Sequence, residues 1–241
     1  MEYRIVAGWL PGPGRSLDVA CGGGDFAWAL ALRGDRVVGL DRDREALALA
    51  RTVRPHVAGV DLVEGDALRL PFRDGSFDLC LCNSSVEHFD DDEAALREMA
   101  RVLRPGGRLV LTTDAFPRRL TRLARWLPDR WLKPELRGPG RQARAMEYHR
   151  RQHHVVRYFT PETLAAKLRG AGLAVQEVRS YVSGALPRFA FELHLLLRGL
   201  SFYNSTSQRL YPAWSLLSRF DARRGEGYGV AALASKPIPG T

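Results

Sequence analysis

Three carboxylates, a run of glycines and a few histidines are the residues of this chain whose types and spacing could do chemistry. Asp18, Asp41 and Asp66 each stand at or near the end of a short apolar run, and Gly22, Gly23 and Gly24 follow the first of them. Glycines in such a turn let the backbone pass close to a ligand where a Cβ would collide, and the N–H groups that open the next helix then face that ligand. Asp41 comes fewer than about 20 residues after the glycines, near where a carboxylate accepts hydrogen bonds from both hydroxyls of a ribose. Gly22-x-Gly24-x-x-Ala27 alone also fits a dinucleotide fingerprint, so discrimination falls to the blocks that follow. His88, His153 and His154 are candidate proton acceptors, because imidazole changes charge near neutral pH.

The elements that must position these residues are legible as alternating patterns. Ser16 to Ala27 reads as a strand, a glycine turn and a helix start; Arg36–Asp41 and Val60–Asp66 are further strand candidates, with helical composition over 25–33 and 43–53 between them. A β-α-β-α-β opening argues for a parallel sheet with helices on both faces and a ligand at the carboxyl ends of its strands. Phe77–Asn83 is the next strand candidate, and Asp90–Leu103 reads as a helix with acids in its first turn and arginines further on. Pro105-Gly-Gly107 is expected to stop that helix before a fifth strand. Ahead of all this, Ile5–Leu10 reads as a short apolar lead broken by Pro11-Gly-Pro-Gly14. Thr160, Pro161 and Glu162 read as an N-cap, first helical position and first turn, with Gly170 or Gly172 as the stop.

Five ordered blocks resemble successive motifs of the class I S-adenosylmethionine-dependent methyltransferases, in particular the small-molecule branch of ubiquinone and menaquinone methyltransferases. They are Ser16–Ala27, Arg36–Asp41, Val60–Phe72, Phe77–His88 and Arg101–Leu111, and the resemblance extends over roughly 15–180. It implies S-adenosyl-L-methionine as cofactor, with its methionine part beside Asp18, Ala20, Gly22, Gly24 and Asn83, its ribose on Asp41 with Arg42 following, and its adenine read by Asp66 and the Ala67 amide. Ala20 departs from the family pattern, which usually has its first glycine there. The implied fold is a Rossmann-like α/β structure: a seven-stranded, mostly parallel sheet with helices on both faces, an antiparallel last strand at Gly227–Ser235, and helical cap insertions. One domain, 1–241, is expected, with a cofactor-binding core at 15–115, a basic cap at 116–157 and a helical, aromatic lid at 182–222.

Composition bounds the alternatives. A chain that is 45% hydrophobic and 26% charged is ordinary for a globular domain. Cys21, Cys80 and Cys82 lack metal-ligand spacing and read as small core residues, which with the absence of a long N-terminal apolar run leads to a cytoplasmic expectation. Residues 118–157 carry 12 Lys or Arg against 3 acids, so the whole formal excess of +9 lies in that insertion. Such a segment suits a solvated cap, an anionic substrate, or peripheral contact with a membrane; nucleic acid is the weakest reading, as no Asn/Asp-Pro-Pro-aromatic or Pro-Cys motif occurs. Charges at Arg188, Glu192 and Arg198 interrupt the apolar lid, so it holds no charge-free membrane span. A nicotinamide-dependent oxidoreductase would share the glycine turn and Asp41, but not Gly65-Asp66-Ala67 with its Leu-Pro-Phe turn.

The expected reaction is methyl transfer to a small, apolar or aromatic acceptor. The acceptor atom is expected to be oxygen, with a histidine to take its proton and carbon or nitrogen ranked behind it, and a lipid or quinone-like acceptor at a membrane surface is the alternative. His153 and His154 precede a strand-like Val155-Val156, where neighbours point to opposite sides, so one of the two at most would face the cofactor. Oligomeric state does not follow from these residues.

Overall fold

The computed structural model describes residues 2–53, 58–114, 128, 130, 157–181 and 229–240. Its centre is a seven-stranded sheet: β1 (Arg15–Val19), β2 (Arg36–Asp41), β3 (Val60–Glu64), β4 (Phe77–Asn83), β5 (Leu103–Asp114), β6 (Ala174–Tyr181) and β7 (Gly229–Ser235), in the order β3-β2-β1-β4-β5-β7-β6. The first five strands pair in parallel. β7 slots between β5 and β6, antiparallel to both. Among the described residues five helices pack around it: α1 (Glu2–Trp9), α2 (Asp25–Leu32), α3 (Arg44–Val53), α4 (Asp92–Val102) and α5 (Pro161–Gly170).

Period-two alternation divides the core between the two faces, as side chains along a strand must. Cys80, Cys82, Leu109, Leu111, Val230, Ala232 and Ala234 turn toward Leu96 and Met99 of α4 and Leu164 and Leu168 of α5. Leu79, Leu81, Val110, Ala231 and Leu233 turn the other way, toward Val6 and Trp9 of α1 and Ala27 and Leu30 of α2. Cys80 and Cys82 are wholly buried, and burial pushes both thiols up.

Several boundaries differ from the sequence reading for local reasons. Ile5–Leu10 is not a mere lead. It lies within and just beyond α1, which docks through buried Val6 and Trp9, a hydrogen bond from Trp9 Nε1 to Glu177 (3.0 Å) and the Arg179 guanidinium 4.7 Å from the Trp9 ring centre. Pro105-Gly-Gly107 does not stop α4, which has already ended at Val102. Phe77 pairs with Leu103 and Leu79 with Arg108, so the Pro-Gly-Gly turn bulges out of β5, with Gly106 at φ +76°. The third strand ends at Glu64, and Asp66 lies beyond it in a turn bridged to Arg69. The Thr160 cap is as expected: Thr160 and Thr163 form a reciprocal capping box around Pro161. The cap at 116–157 lies, apart from residues 128, 130 and 157, outside the described residues, and the lid at 182–222 lies wholly outside them.

Candidate active site

Strand order reverses between β1 and β4, since β2 and β3 extend the sheet to one side and β5 to the other. A crevice must open there at the carboxyl ends, because the connections leaving the two strands run to opposite sides. A cavity of about 300 Å³ occupies that place, lined along one wall by Ala20, Gly22, Asp41, Arg42, Asp66 and Ala67, and along the other by Ser84, Ser85, His88, Phe89 and Asp90.

The glycine turn is held by backbone geometry that few residues adopt. Ala20, Gly22 and Gly24 all have positive φ, at +57°, +50° and +77°. A Cβ on Gly24 would come within 2.9 Å of the Trp28 indole nitrogen. Asp41 closes β2 and accepts hydrogen bonds from the Gly22 amide (2.7 Å) and the Asp43 amide (2.9 Å), tying the turn to the neighbouring strand. A carboxylate has about four acceptor positions, so two remain for a ligand's hydroxyls.

Asp18 lies beneath this turn, only 2% exposed. It accepts a hydrogen bond from the Ala27 amide, yet its Oδ2 is buried with no partner. Burial, followed by the nearby charges of Asp41 and Asp25, pushes its pKa up to about 7 against the pull of the Ala27 amide. An orphaned buried carboxyl of this kind is suited to a cation.

Asp66 and Ala67 open the segment that forms the adjoining wall, with the Leu68 amide donating to Asp66 Oδ1 (2.9 Å). Arg101 of α4 fastens this segment. Its guanidinium donates to the Leu70 and Phe72 carbonyls and to Asp74 and Glu98, while Glu98 accepts from the Leu70 amide. Arg101 holds Asp74 and Glu98 below the usual carboxylate range. Nothing in the one-dimensional pattern singles out Arg101 beyond its place three residues after Glu98.

Of the expected site residues, Ala20, Gly22, Asp41, Arg42, Asp66, Ala67 and His88 meet in the cavity wall. Asn83 does not: its Oδ1 accepts from the Thr112 hydroxyl on β5 (2.9 Å), and Ser84 and Ser85 line the cavity in its stead. Gly24, which opens α2 from the far end of the turn, and Asp18, buried beneath the turn, are likewise outside the lining. His153 and His154 lie outside the described residues.

A crevice with this topology, a backbone turn approaching the ligand and acids at or just past the ends of adjoining strands could serve several cofactors, and comparison with known proteins decides among them. Residues 17–111 match the family model described as a methyltransferase domain. The chain is 34% identical over 185 residues to a 2-phytyl-1,4-naphtoquinone methyltransferase of Thermosynechococcus vestitus, covering 74% of this chain and 80% of that protein. It belongs to the S-adenosylmethionine-dependent methyltransferases.

Demethylmenaquinone methyltransferases of Deinococcus radiodurans and Thermus thermophilus are 48% and 46% identical over 102 and 103 residues, stretches that span under half the length of either relative. A Mesorhizobium loti S-adenosylmethionine-dependent methyltransferase structure superposes with a TM-score of 0.63 at 21% identity, covering 98% of this chain and 97% of that one, a likeness of fold. The methyltransferase therefore uses S-adenosyl-L-methionine. Bound, that cofactor supplies an activated sulfonium methyl group, and the orphaned Asp18 carboxyl, the positive-φ turn and the acids Asp41 and Asp66 of the cavity wall fit such a cation-bearing nucleoside. Among the described residues no helix is long and apolar enough to cross a membrane, and no cluster of three His, Cys, Asp or Glu could hold a metal.

Proposed function

We propose that this methyltransferase acts on a reduced quinone-type ring bearing an apolar side chain, and that the methyl group goes to a ring carbon. The relatives' names carry the acceptor class: a phytyl naphthoquinone and demethylmenaquinone. A quinol needs little from the protein. Removing the proton of one ring hydroxyl makes both that oxygen and the conjugated ring carbons nucleophilic, and the site has then to align one of them with the methyl group and exclude water. The new bond forms as the sulfur–methyl bond breaks. On a carbon, the ring hydrogen then leaves as a proton and the ring regains its hydroxyl.

His88 is the described residue best suited to hold the hydroxyl proton, since it lines the cavity at the end of the short 3-10 turn Val86–His88. Asp18 and the amides of the glycine turn would hold the methionine part, Asp41 the ribose, and Asp66 with the Ala67 amide the adenine. The orphaned, buried Asp18 carboxyl beneath the turn supports this orientation, because the cofactor's amino group would satisfy it. His153 or His154 joins His88 as a second possible base in this reading. The basic 116–157 segment serves as a cap over the acceptor, with peripheral membrane contact a consequence of an apolar acceptor.

Incubating the enzyme with methyl-labelled cofactor and a reduced 2-alkyl-1,4-naphthoquinone, followed by NMR of the product, tests the reading. An aryl methyl resonance supports it. A methoxy resonance moves the acceptor atom to the ring oxygen, and absence of any labelled quinol sinks the acceptor class. Replacing His88 by Ala is expected to lower turnover about a hundredfold while S-adenosylhomocysteine still binds.

A further inference from the structure

The second wall of the cavity is made by a loop with little secondary structure of its own. It leaves β4 through Ser84, which has φ +46°, makes one 3-10 turn over Val86–His88 and reaches α4 only at Asp92. The 3-10 turn takes up the Ser85 and Val86 carbonyls and α4 that of Asp91, whereas the Glu87, Phe89 and Asp90 carbonyls join neither helix nor ladder, and backbone acceptors of a folded chain need partners. The loop nonetheless supplies His88, Phe89 and Asp90 to the cavity.

Arg157 meets three of those carbonyls. Its amide donates to the Glu87 carbonyl (2.9 Å), Nη1 to Phe89 and Nη2 to Asp90 (2.8 Å). From the opposite side the Thr113 hydroxyl of β5 donates to the buried Glu87 carboxylate (3.1 Å). The loop is thus stitched to the sheet at Glu87 and to the incoming chain at Arg157. Arg157 in turn immediately precedes Tyr158, buried Phe159 and the Thr160 cap of α5, so it is anchored on a rigid element.

We propose that Arg157 is a positioning residue for methyl transfer, one that fixes the Glu87–Asp90 rim and through it the placement of His88 and Phe89. A planar guanidinium bridges two carbonyls from a fixed fork of donors, whereas an ammonium on a flexible stem holds them with less geometric constraint. Strand order confines the effect to one wall. The rim follows β4, whereas Asp41 ends β2 and Asp66 follows β3 on the far side of β1. The inference rests on the methyltransferase activity and not on the choice of acceptor.

Hydrogen-exchange mass spectrometry and S-adenosylhomocysteine titration of wild type, R157A and R157K test it. In R157A, peptides covering 84–91 should exchange about tenfold faster or more while β1 and β2 peptides keep wild-type rates, and the Kd for S-adenosylhomocysteine should stay within about threefold. With the reduced alkyl naphthoquinone, kcat should fall about tenfold or more, with R157K between the two. Unchanged exchange at 84–91, a uniform rise across the sheet, or a loss of S-adenosylhomocysteine affinity equal to the loss of turnover would each overturn the role. Should R157A fail to fold, wild-type exchange and turnover in R157K would also overturn it. If wild type ignores the naphthoquinol, the acceptor reading falls while exchange and titration still decide the case for Arg157.

Discussion

Ala20 holds a left-handed backbone at the mouth of the glycine turn, where an L side chain costs about 1–2 kcal/mol. Glycine would remove that cost but lose about 0.5–1 kcal/mol to the freedom of its unfolded chain. Ala20→Gly should therefore leave stability within about 1 kcal/mol of wild type, or slightly above it. Ala20→Val, β-branched at a positive φ, should lower it by about 2 kcal/mol. Chemical denaturation of the two variants measures both, and equal stability for Val and Gly would contradict the backbone assignment. At this scale Gly22, Asp41 and Asp66, which meet in the cavity wall, could be singled out because turn and strand-end signals are local. The orientation of Asn83 could not be read, since it depends on Thr112, 29 residues away on β5.

The segment after β3 depends on a single arginine of α4. Charge-assisted hydrogen bonds are each worth about 1.5–3 kcal/mol when partly buried, and Arg101 divides several among Leu70, Phe72, Asp74 and Glu98 at the edge of the site. Its side chain is about a third exposed, so solvent discounts the sum. Arg101→Ala should cost about 2 kcal/mol of stability and weaken S-adenosylhomocysteine binding by loosening the Asp66–Leu70 wall; thermal melting with and without ligand would show a smaller ligand-induced shift than in wild type. The central strands and α4 were readable because buried strands form apolar runs and capped helices carry their end signals. By contrast α1 is only eight residues long, and its reason to exist, Trp9 against Glu177 and Arg179, is visible only once β6 has been laid at the sheet edge. Pro-Gly-Gly misled for a related reason: the same residues that end helices also make bulges.

At the scale of the whole molecule, the site carries an unfavourable charge at Asp18. Asp18 has its folded pKa raised to about 7, so its ionisation weakens the ligand-free fold progressively as pH rises from about 4 through 7. Asp74, Asp78, Glu93 and Glu98 are shifted the other way, and their contribution is present above the ordinary carboxylate range and lost as pH falls below it. The ligand-free methyltransferase should then melt at higher temperature at pH 6 than at pH 8, and Asp18→Asn should flatten that difference; equal slopes in the two proteins would contradict the origin assigned to it. A cationic amino group seated at Asp18 reverses the sign, so S-adenosylhomocysteine affinity should rise with pH through about 7 with release of a proton. The most direct test of the crevice between β1 and β4 is isothermal titration of S-adenosylhomocysteine into wild type and Asp41→Ala at pH 8. Loss of two charge-assisted hydrogen bonds should weaken binding about ten- to a hundredfold or more, and an Asp41→Ala protein that binds as tightly as wild type would contradict it.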